Sequence, residues 1–430
     1  MSSHIKNIEY PYADKWDKSK HYSTFTLSNV HYSLANSIRR SMISYVPTAA
    51  FKAHPYEHCT IDIKRNDSKL NNEIIKQRLS LIPINIPFPE DFDIEDYIFI
   101  LDIENDTHNI LTVTTEHFTM KRISNNKYLS KSEVQQFLPA DPITKEFIPI
   151  VRLLPKHYTA LNHTPEVSRA IMDAIKIPVA NSIGIKLEAK LVISNGLDNA
   201  SFSSVSLASY GNTIDTEKAK VAEDAYVSGI HSIEKSQEIT LTDEQILRRR
   251  FKINEIQRNF VTDEYDEPTS FDFTVRSVGV IPPLVIFERG CQKLIEELNT
   301  LITNIDTKNV NEVTIEPNPT MGDNSYDIHV LNADDTLGNI VQNYCSMLFA
   351  DYTLEPEQRK CSAITYHKVH PLKREIMISV RPISGSADNY KNANEIVVTG
   401  CKYIIKKLML IIKDLQKHKE YVSEYKGISK

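Results

Sequence analysis

Four groups of residues in this 430-residue chain have types from which chemistry is usually built. His54, His58 and Cys59 could offer imidazole and thiolate ligands to a metal, but strand alternation sends neighbouring side chains to opposite faces. Asp263-Glu264-Tyr265-Asp266-Glu267 is a dense acidic run without the spacing of a calcium loop, and a solvated linker explains it as well. Arg248-Arg249-Arg250 could meet phosphate or simply solvate a helix face. The fourth group lies in SLANSIRRSM, where Asn36, Arg39 and Arg40 share one side of a short helix. Forked guanidinium donors there suit a carboxylate or backbone carbonyls, and Ile43 beside them makes a mixed surface fit for a protein partner; a plain solvated face is the alternative.

None of these is a catalytic constellation. The chain has no nucleophile elbow, phosphate loop, HExxH zinc helix or dinucleotide fingerprint, and with 11 glycines in 430 residues phosphate-cradling loops are scarce. The expectation is therefore recognition rather than catalysis, with no catalytic residue, no metal and no cofactor. Five cysteines, Cys59, Cys291, Cys345, Cys361 and Cys401, lie far apart with no CxxC pair, and read as reduced, buried thiols of an intracellular protein. A net charge of -6 gives no support to a generally basic nucleic-acid surface. No charged-then-apolar leader and no apolar run of about 18 residues point to secretion or a membrane span.

The elements that must position these residues can be read from periodicity. Behind a tail holding the single Trp16, Thr24-Phe25-Thr26-Leu27 alternates like a half-buried strand, and Ser28-Asn29 turns the chain into a helix that Pro47 ends. At 100° per residue Leu34, Ile38, Met42 and Tyr45 fall on one face, with Asn36, Arg39, Arg40 and Ile43 opposite. Residues 49–206 form a β-rich block with one short helix near Asn72 to Leu81. The polar block 207–268 reads as an insertion or linker, with a capping box at Thr242-Asp243-Glu244-Gln245 opening a helix to about Phe260. Phe271 to Val275 resumes a strand, and Leu284 to Ile305 is a long helix; the polar stretch Asn309 to Asp323 is read as a junction.

The last third repeats this order: a strand at Asp327 to Leu331, a capped helix through about Phe349, a strand at Glu375 to Val380, and an amphipathic helix from Glu395 to about Gln416. Thr336-Leu337-Gly338-Asn339-Ile340-Val341 matches Ser33-Leu34-Ala35-Asn36-Ser37-Ile38 in the pattern [ST]-L-[AG]-N-x-[IV]. Two related α+β units thus stand in one chain, each with apolar helices in need of a mate. Packed helix to helix about a pseudo-two-fold axis they would make a built-in dimer; helices that serve only their own cores are the alternative. The second copy has Gln342-Asn343 where the first has Arg39-Arg40, so the polar faces of the two helices cannot meet the same partner alike.

Several stretches carry a resemblance. SLANSIRRSMISYVPTAAF followed by NNEIIKQRLSLIPI resembles the signature of the α-type assembly subunits of multisubunit RNA polymerases: the eukaryotic third subunit, the archaeal D subunit and, more distantly, bacterial α. SFDFTVRSVGVIPPLVIFERGCQKLIEEL is similar to the strand and final helix of the same family. DDTLGNIVQNYCSMLFADY with KVHPLKREIMISV resembles the small partner subunit, the eukaryotic eleventh or archaeal L. The four motifs, in order, cover most of residues 20–416, and their fusion in one chain resembles the form found in nucleocytoplasmic large DNA viruses.

The resemblance implies an α+β fold of two α-like dimerisation units, each an antiparallel sheet with two helices. They would form an intramolecular pseudo-dimer, with an inserted β-rich domain. The expected domains are 1–48 with 207–308 (polar insertion about 210–268), 49–206, and 309–430. It also implies a non-catalytic platform of a DNA-directed RNA polymerase on which the largest and second-largest subunits assemble. A small zinc-binding subunit would dock nearby, and DNA would be met only through the complex. By this analogy Asn36, Arg39, Arg40, Ile43, Glu73, Gln77, Arg78 and Leu81 face the second-largest subunit. Leu294, Leu298, Leu301, Leu337, Val341, Tyr344, Leu408, Ile411 and Leu415 line the internal dimer. Many relatives carry a cysteine cluster in the inserted domain; here Cys59 is alone in residues 49–206, so no metal is expected there. The implied site of action is a cytoplasmic viral factory, a virion or the nucleus. A free-standing interaction or regulatory protein that reuses the fold is the competing expectation.

Overall fold

The computed structural model describes residues 3–13, 21–107, 109–155, 182–237, 240, 242–321, 324–383 and 389–428. The chain divides into two compact units, one of residues 1–45, 205–277 and 282–430, the other of 46–204 with 278–281. Trp16 lies outside the described residues.

The first unit opens with β1 (Ile5–Glu9) and β2 (Tyr22–Ser28), antiparallel, followed by α1 (Tyr32–Ser44). Sequence analysis placed only a tail before β2. Its first strand escaped notice because Ile-Lys-Asn-Ile-Glu buries one residue, Ile5, and otherwise edges the sheet. Helix α1 starts at His31, whose Nδ1 accepts from the Ser33 backbone N–H at 3.2 Å. Its burial runs beyond the expected stripe of Leu34, Ile38 and Met42, because Ala35, Ser37 and Ser41 are buried as well.

The second unit holds eight strands, β3 (Thr48–Phe51), β4 (Ile61–Asn66), β5 (Tyr97–Asn105), β6 (Leu111–Thr114), β7 (Thr119–Arg122), β8 (Pro149–Leu153), β9 (Ile183–Ala189) and β10 (Leu191–Ser194), among its described residues. They form a four-stranded sheet in the order β4-β9-β5-β7 and the pairs β3-β10 and β6-β8, all antiparallel. Phe51, Phe99 and Phe118 make mutual ring contacts in its core. Helix α2 (Asn72–Ser80) sits where expected, and a second short helix, α3 (Lys131–Phe137), is added; its capping box Ser130/Glu133 is readable in the sequence.

Returning to the first unit, β11 (Val205–Asn212) pairs along β12 (Ser270–Ser277), and α4 (Thr216–Ser236) and α5 (Glu244–Asn254) form a helical hairpin between them. Residues 207–268, read from sequence as an insertion or linker with one helix to about Phe260, begin in an edge strand and carry two helices, the second ending at Asn254 before a short 3-10 turn. Phe25 of β2 lies opposite Phe273 of β12 with rings stacked at 5.4 Å, and Phe287 of α6 (Pro283–Thr307) meets Phe25 edge-on at 5.0 Å.

The chain then runs β13 (Val313–Pro317), β14 (Tyr326–Leu331), α7 (Asp335–Phe349), β15 (Cys361–Lys368), β16 (Glu375–Pro382), α8 (Asn389–Leu415) and α9 (Lys419–Ile428). The expected junction at 309–323 contains the edge strand β13, and β15 lies between α7 and β16, where sequence analysis placed no strand. The two sheets of this unit have orders β1-β2-β12-β11 and β13-β14-β16-β15, so each element of the first has a counterpart in the second. The fold is α+β with antiparallel sheets throughout.

Candidate protein-interaction site

The polar face of α1 splits its two arginines between different tasks. Asn36 Oδ1 accepts from Arg39 Nε at 3.2 Å and Nη2 at 3.0 Å, one helical turn apart. Arg39 also lies near Tyr210 of β11: burial pushes that phenol's pKa up, and the Arg39 charge pulls it back down. Among the described residues Arg39 forms no ion pair, so a half-buried guanidinium is orientated by Asn36 and keeps unused donors. Arg40 turns to the other half of the unit. Its Nε donates to Thr336 Oγ1 at 2.7 Å and its Nη2 lies 3.6 Å from Asp334 Oδ2. Ile43 is half-buried alongside.

Asp334 is the N-cap of α7, its carboxylate accepting from the backbone N–H groups of Thr336 and Leu337. Two tyrosines mark the crossing of α1 and α7. Tyr45, at the end of α1, lies beside Asp334 and Thr336, its phenol pushed up by burial and by the Asp334 charge. Tyr344, on α7, meets His31 at the start of α1, ring centroids 6.2 Å apart, and burial raises its phenol. Each helix start thus rests against a tyrosine of the other helix.

Behind this crossing α6 packs on α8, and α1 on α6. Leu294, Leu298 and Leu301 of α6, Leu337, Val341 and Tyr344 of α7, and Leu408, Ile411 and Leu415 of α8 are all buried. Close approach depends on two glycines. A Cβ on Gly290 would lie 3.0 Å from Met42 Cγ, and one on Gly400 would lie 2.2 Å from Cys345 Sγ. Each is followed by a fully buried cysteine, Cys291 or Cys401, and burial raises both thiols, Cys401 to about 12.

Sequence reading missed this second repeat, Gly-Cys-x-x-[LI] at 290–294 and 400–404, although it was visible as text. It also missed the clasp that α9 makes. Glu424 is buried; its Oε2 accepts from the Leu284 N–H at 2.9 Å and its Oε1 from the Tyr10 hydroxyl at 2.7 Å. It thus serves as the cap for α6, whose N-cap residue Pro282 makes no side-chain cap bond. Buried Glu288 accepts from Gln416 Nε2 at 2.7 Å and from Tyr421, and Asp414 accepts from the His4 and Ile5 N–H groups.

In the second unit α2 carries the remaining expected residues. Glu73, Gln77 and Arg78 are exposed on its outer side, followed by Leu81, 62% exposed. Arg78 Nη2 donates to the Pro149 carbonyl at 2.7 Å, which ties the outer face to β8. No group of three or more His, Cys, Asp or Glu among the described residues could hold a metal ion. No described helix is long and apolar enough to cross a membrane.

The sequence pattern of the RNA polymerase Rpb3/Rpb11 dimerisation domain matches residues 24–298. The chain is 33% identical over 92 residues to DNA-directed RNA polymerase subunit Rpo3 of Pyrococcus furiosus, covering 20% of this chain and 33% of that protein. Over 63 residues it is 46% identical to subunit 3B of DNA-directed RNA polymerases IV and V of Arabidopsis thaliana, covering 15% of this chain and 18% of that protein. The matched stretches span about a third or less of these relatives. With the family pattern extending over more than half of its length, this chain belongs to the RNA polymerase Rpb3/Rpb11 dimerisation domain family.

Proposed function

We propose that the chain is a non-catalytic assembly subunit of a DNA-directed RNA polymerase. In this reading it carries both members of the dimerisation pair, a third-subunit-like half and an eleventh-subunit-like half, in one polypeptide, and it nucleates association of the two largest subunits. The observation that carries this is the pair of sheets with matching strand order, β1-β2-β12-β11 and β13-β14-β16-β15, joined through α6 and α8 in a single unit. A family named for dimerisation supports it. Fusion keeps the two halves at a high effective concentration, so the platform needs no separate partner to close its core. Residues 46–204 form the inserted domain in this scheme, and viral origin fits the fused form.

Asn36, Arg39 and Ile43, with Glu73, Gln77, Arg78 and Leu81, are the proposed contacts to the second-largest subunit. Arg39 is the strongest of them, because Asn36 presets its geometry and its free donors suit a carboxylate. Arg40 divides its guanidinium between the internal seam and that surface. A small zinc-binding subunit is the further partner proposed. The test is co-expression with the two largest subunits of the same polymerase. Arg39→Glu should lower recovery of the complex about ten-fold while the purified subunit keeps its stability. Unchanged assembly would remove the role of Arg39. Failure of the wild-type chain to enter any polymerase complex would favour a free-standing interaction protein built on the same fold.

A further inference from the structure

The α4–α5 hairpin has no part in the seam. Its two helices pack mainly on each other through Leu247, Phe251, Val227 and Ala219, with Tyr226 and Phe251 rings 5.7 Å apart. At its base the Asp215 N–H donates to the Asn259 carbonyl at 2.9 Å, and Ile214 bridges Phe260. The Arg248-Arg249-Arg250 triplet is divided by this packing. Arg248 lies against Asp224 at 2.8 Å and Glu244 at 2.7 Å, with Glu223 at 3.7 Å, and so holds the hairpin together. Arg249 and Arg250 are exposed and form no ion pair among the described residues. Ile246 and Ile253 flank them at helical spacing, 48% and 69% exposed. The four residues, at i, i+3, i+4 and i+7, make a continuous stripe along α5.

An exposed Ile-Arg-Arg-Ile stripe on an arm that adds little to the core is poorly explained by solvation alone, since two β-branched apolar residues gain nothing in water and are mediocre helix formers. Phosphate recognition is also a poor fit. From residue 216 to 254 the arm has seven Lys or Arg against seven Asp or Glu, the chain carries -6 overall, and its aromatic ring on α5, Phe251, is buried and cannot stack on a base. The stripe is complementary to a protein segment that sets carboxylates beside apolar side chains: the isoleucines supply desolvated contact and the arginines fork onto acids.

We infer that α5 is a docking surface for an acidic amphipathic segment of another protein, seated across Ile246, Arg249, Arg250 and Ile253. Three labelled probes titrated against the full chain test this by fluorescence anisotropy: a helical peptide with glutamates flanking a leucine stripe, a polyglutamate peptide, and a single-stranded DNA oligonucleotide. The leucine–glutamate peptide should bind about ten-fold tighter than either of the others. Arg249→Glu/Arg250→Glu and, separately, Ile246→Ser/Ile253→Ser should each weaken it about ten-fold, with helical content by circular dichroism unchanged in both. DNA bound as tightly as the peptide, with the isoleucine variant silent, would make the arm a nucleic-acid contact and overturn the proposal. So would absence of peptide binding, or variants that bind like the wild type.

Discussion

Helices α1 and α7 occupy equivalent places in the two halves of the first unit, yet they are finished differently. Asn36 corresponds to Asn339, and by the same offset Met42 corresponds to Cys345; Met42 faces Gly290 on α6 while Cys345 faces Gly400 on α8. Tyr210 on β11 and Tyr366 on β15 also correspond, opposite Phe273 and Ile378 of the paired strands. In the second half Gln342 Oε1 accepts from the Tyr366 N–H at 2.8 Å, and the Tyr366 ring covers Gly338 so closely that a Cβ there would lie 2.4 Å from it. In the first half Ala35 stands in place of Gly338 and Arg39 in place of Gln342, and Arg39 donates to Asn36 while only its charge reaches Tyr210 of the edge strand. The same framework therefore closes one helix under its own edge strand and leaves a charged, presentable side chain on the other. The two halves share the core framework; they differ in what each sets on the polar face of its first helix.

The largest effect should come from breaking what the halves share. Leu298 and Leu408 lie at corresponding positions of α6 and α8, and both are fully buried. Truncating either to alanine removes its burial and leaves a cavity, costing about 2–5 kcal/mol. Urea unfolding of Leu298→Ala and Leu408→Ala should give losses of similar size. A large loss for one with none for the other would show that the correspondence does not extend to the energetics.

The two glycines sharpen the comparison further. Alanine at a helical glycine gains about 0.5–1 kcal/mol from backbone entropy, so the sign of each substitution depends on the space available. At Gly290 the nearest atoms are Cγ of a flexible methionine, Met42, at 3.0 Å and that residue's backbone N at 3.3 Å, a crowding that offsets the entropy gain. At Gly400 it is the sulfur of Cys345 at 2.2 Å, on a side chain too short to swing clear. Gly400→Ala should therefore destabilise by about 1–3 kcal/mol while Gly290→Ala stays near neutral. Adding Cys345→Ala to Gly400→Ala should recover most of the loss in a double-mutant cycle, because it removes the colliding atom.

A third difference is the clasp, which ties α9 to the opposite end of the chain. Glu424→Ala would leave the Leu284 N–H and the Tyr10 hydroxyl without that carboxylate, at a cost of about 1–3 kcal/mol. Hydrogen exchange should locate the loss at the start of α6 and around Tyr10. Faster exchange spread evenly over both sheets would instead mean that Glu424 supports the whole unit rather than one helix start.

Much of this was readable before any coordinates. The alternation at Phe25 and Leu27, the apolar spacing of α6 and the [ST]-L-[AG]-N repeat were enough to expect two α+β units with paired helices. What escaped were elements whose residues do not carry a strong period. The edge strands β1 and β13 bury one residue each, so no alternation is visible, and α4 buries only Ala219 and Val227 among its charges, too few to mark an apolar face. Division of labour between Arg39 and Arg40 was beyond sequence for another reason. The two are adjacent and chemically identical, and only the position of Thr336 and Asp334, some 300 residues on, sends one of them to the seam.

The smallest expected effect concerns the two helix caps. His31 and Asp334 fill corresponding N-cap positions, but only the imidazole must stay neutral to accept the Ser33 N–H, and a proton on it would also oppose the positive end of the α1 dipole. Burial lowers the His31 pKa from 6.5, the Asp263 charge works against that, and the neighbouring rings of Tyr32 and Tyr344 complete its surroundings. Because the unfolded chain takes up the proton more readily than the folded cap, this contribution is complete above about pH 6.5 and is lost as pH falls toward the lower folded value. Asn at this position caps without titrating. The gap in unfolding free energy between wild type and His31→Asn should therefore shift toward the variant between about pH 7.5 and pH 5.5, while Asp334→Asn in the second half should leave the wild-type histidine slope in place. If His31→Asn follows the wild type across that range, the first cap is held by the Tyr344 contact rather than by its own imidazole, and the two helix starts are more alike than their residues suggest.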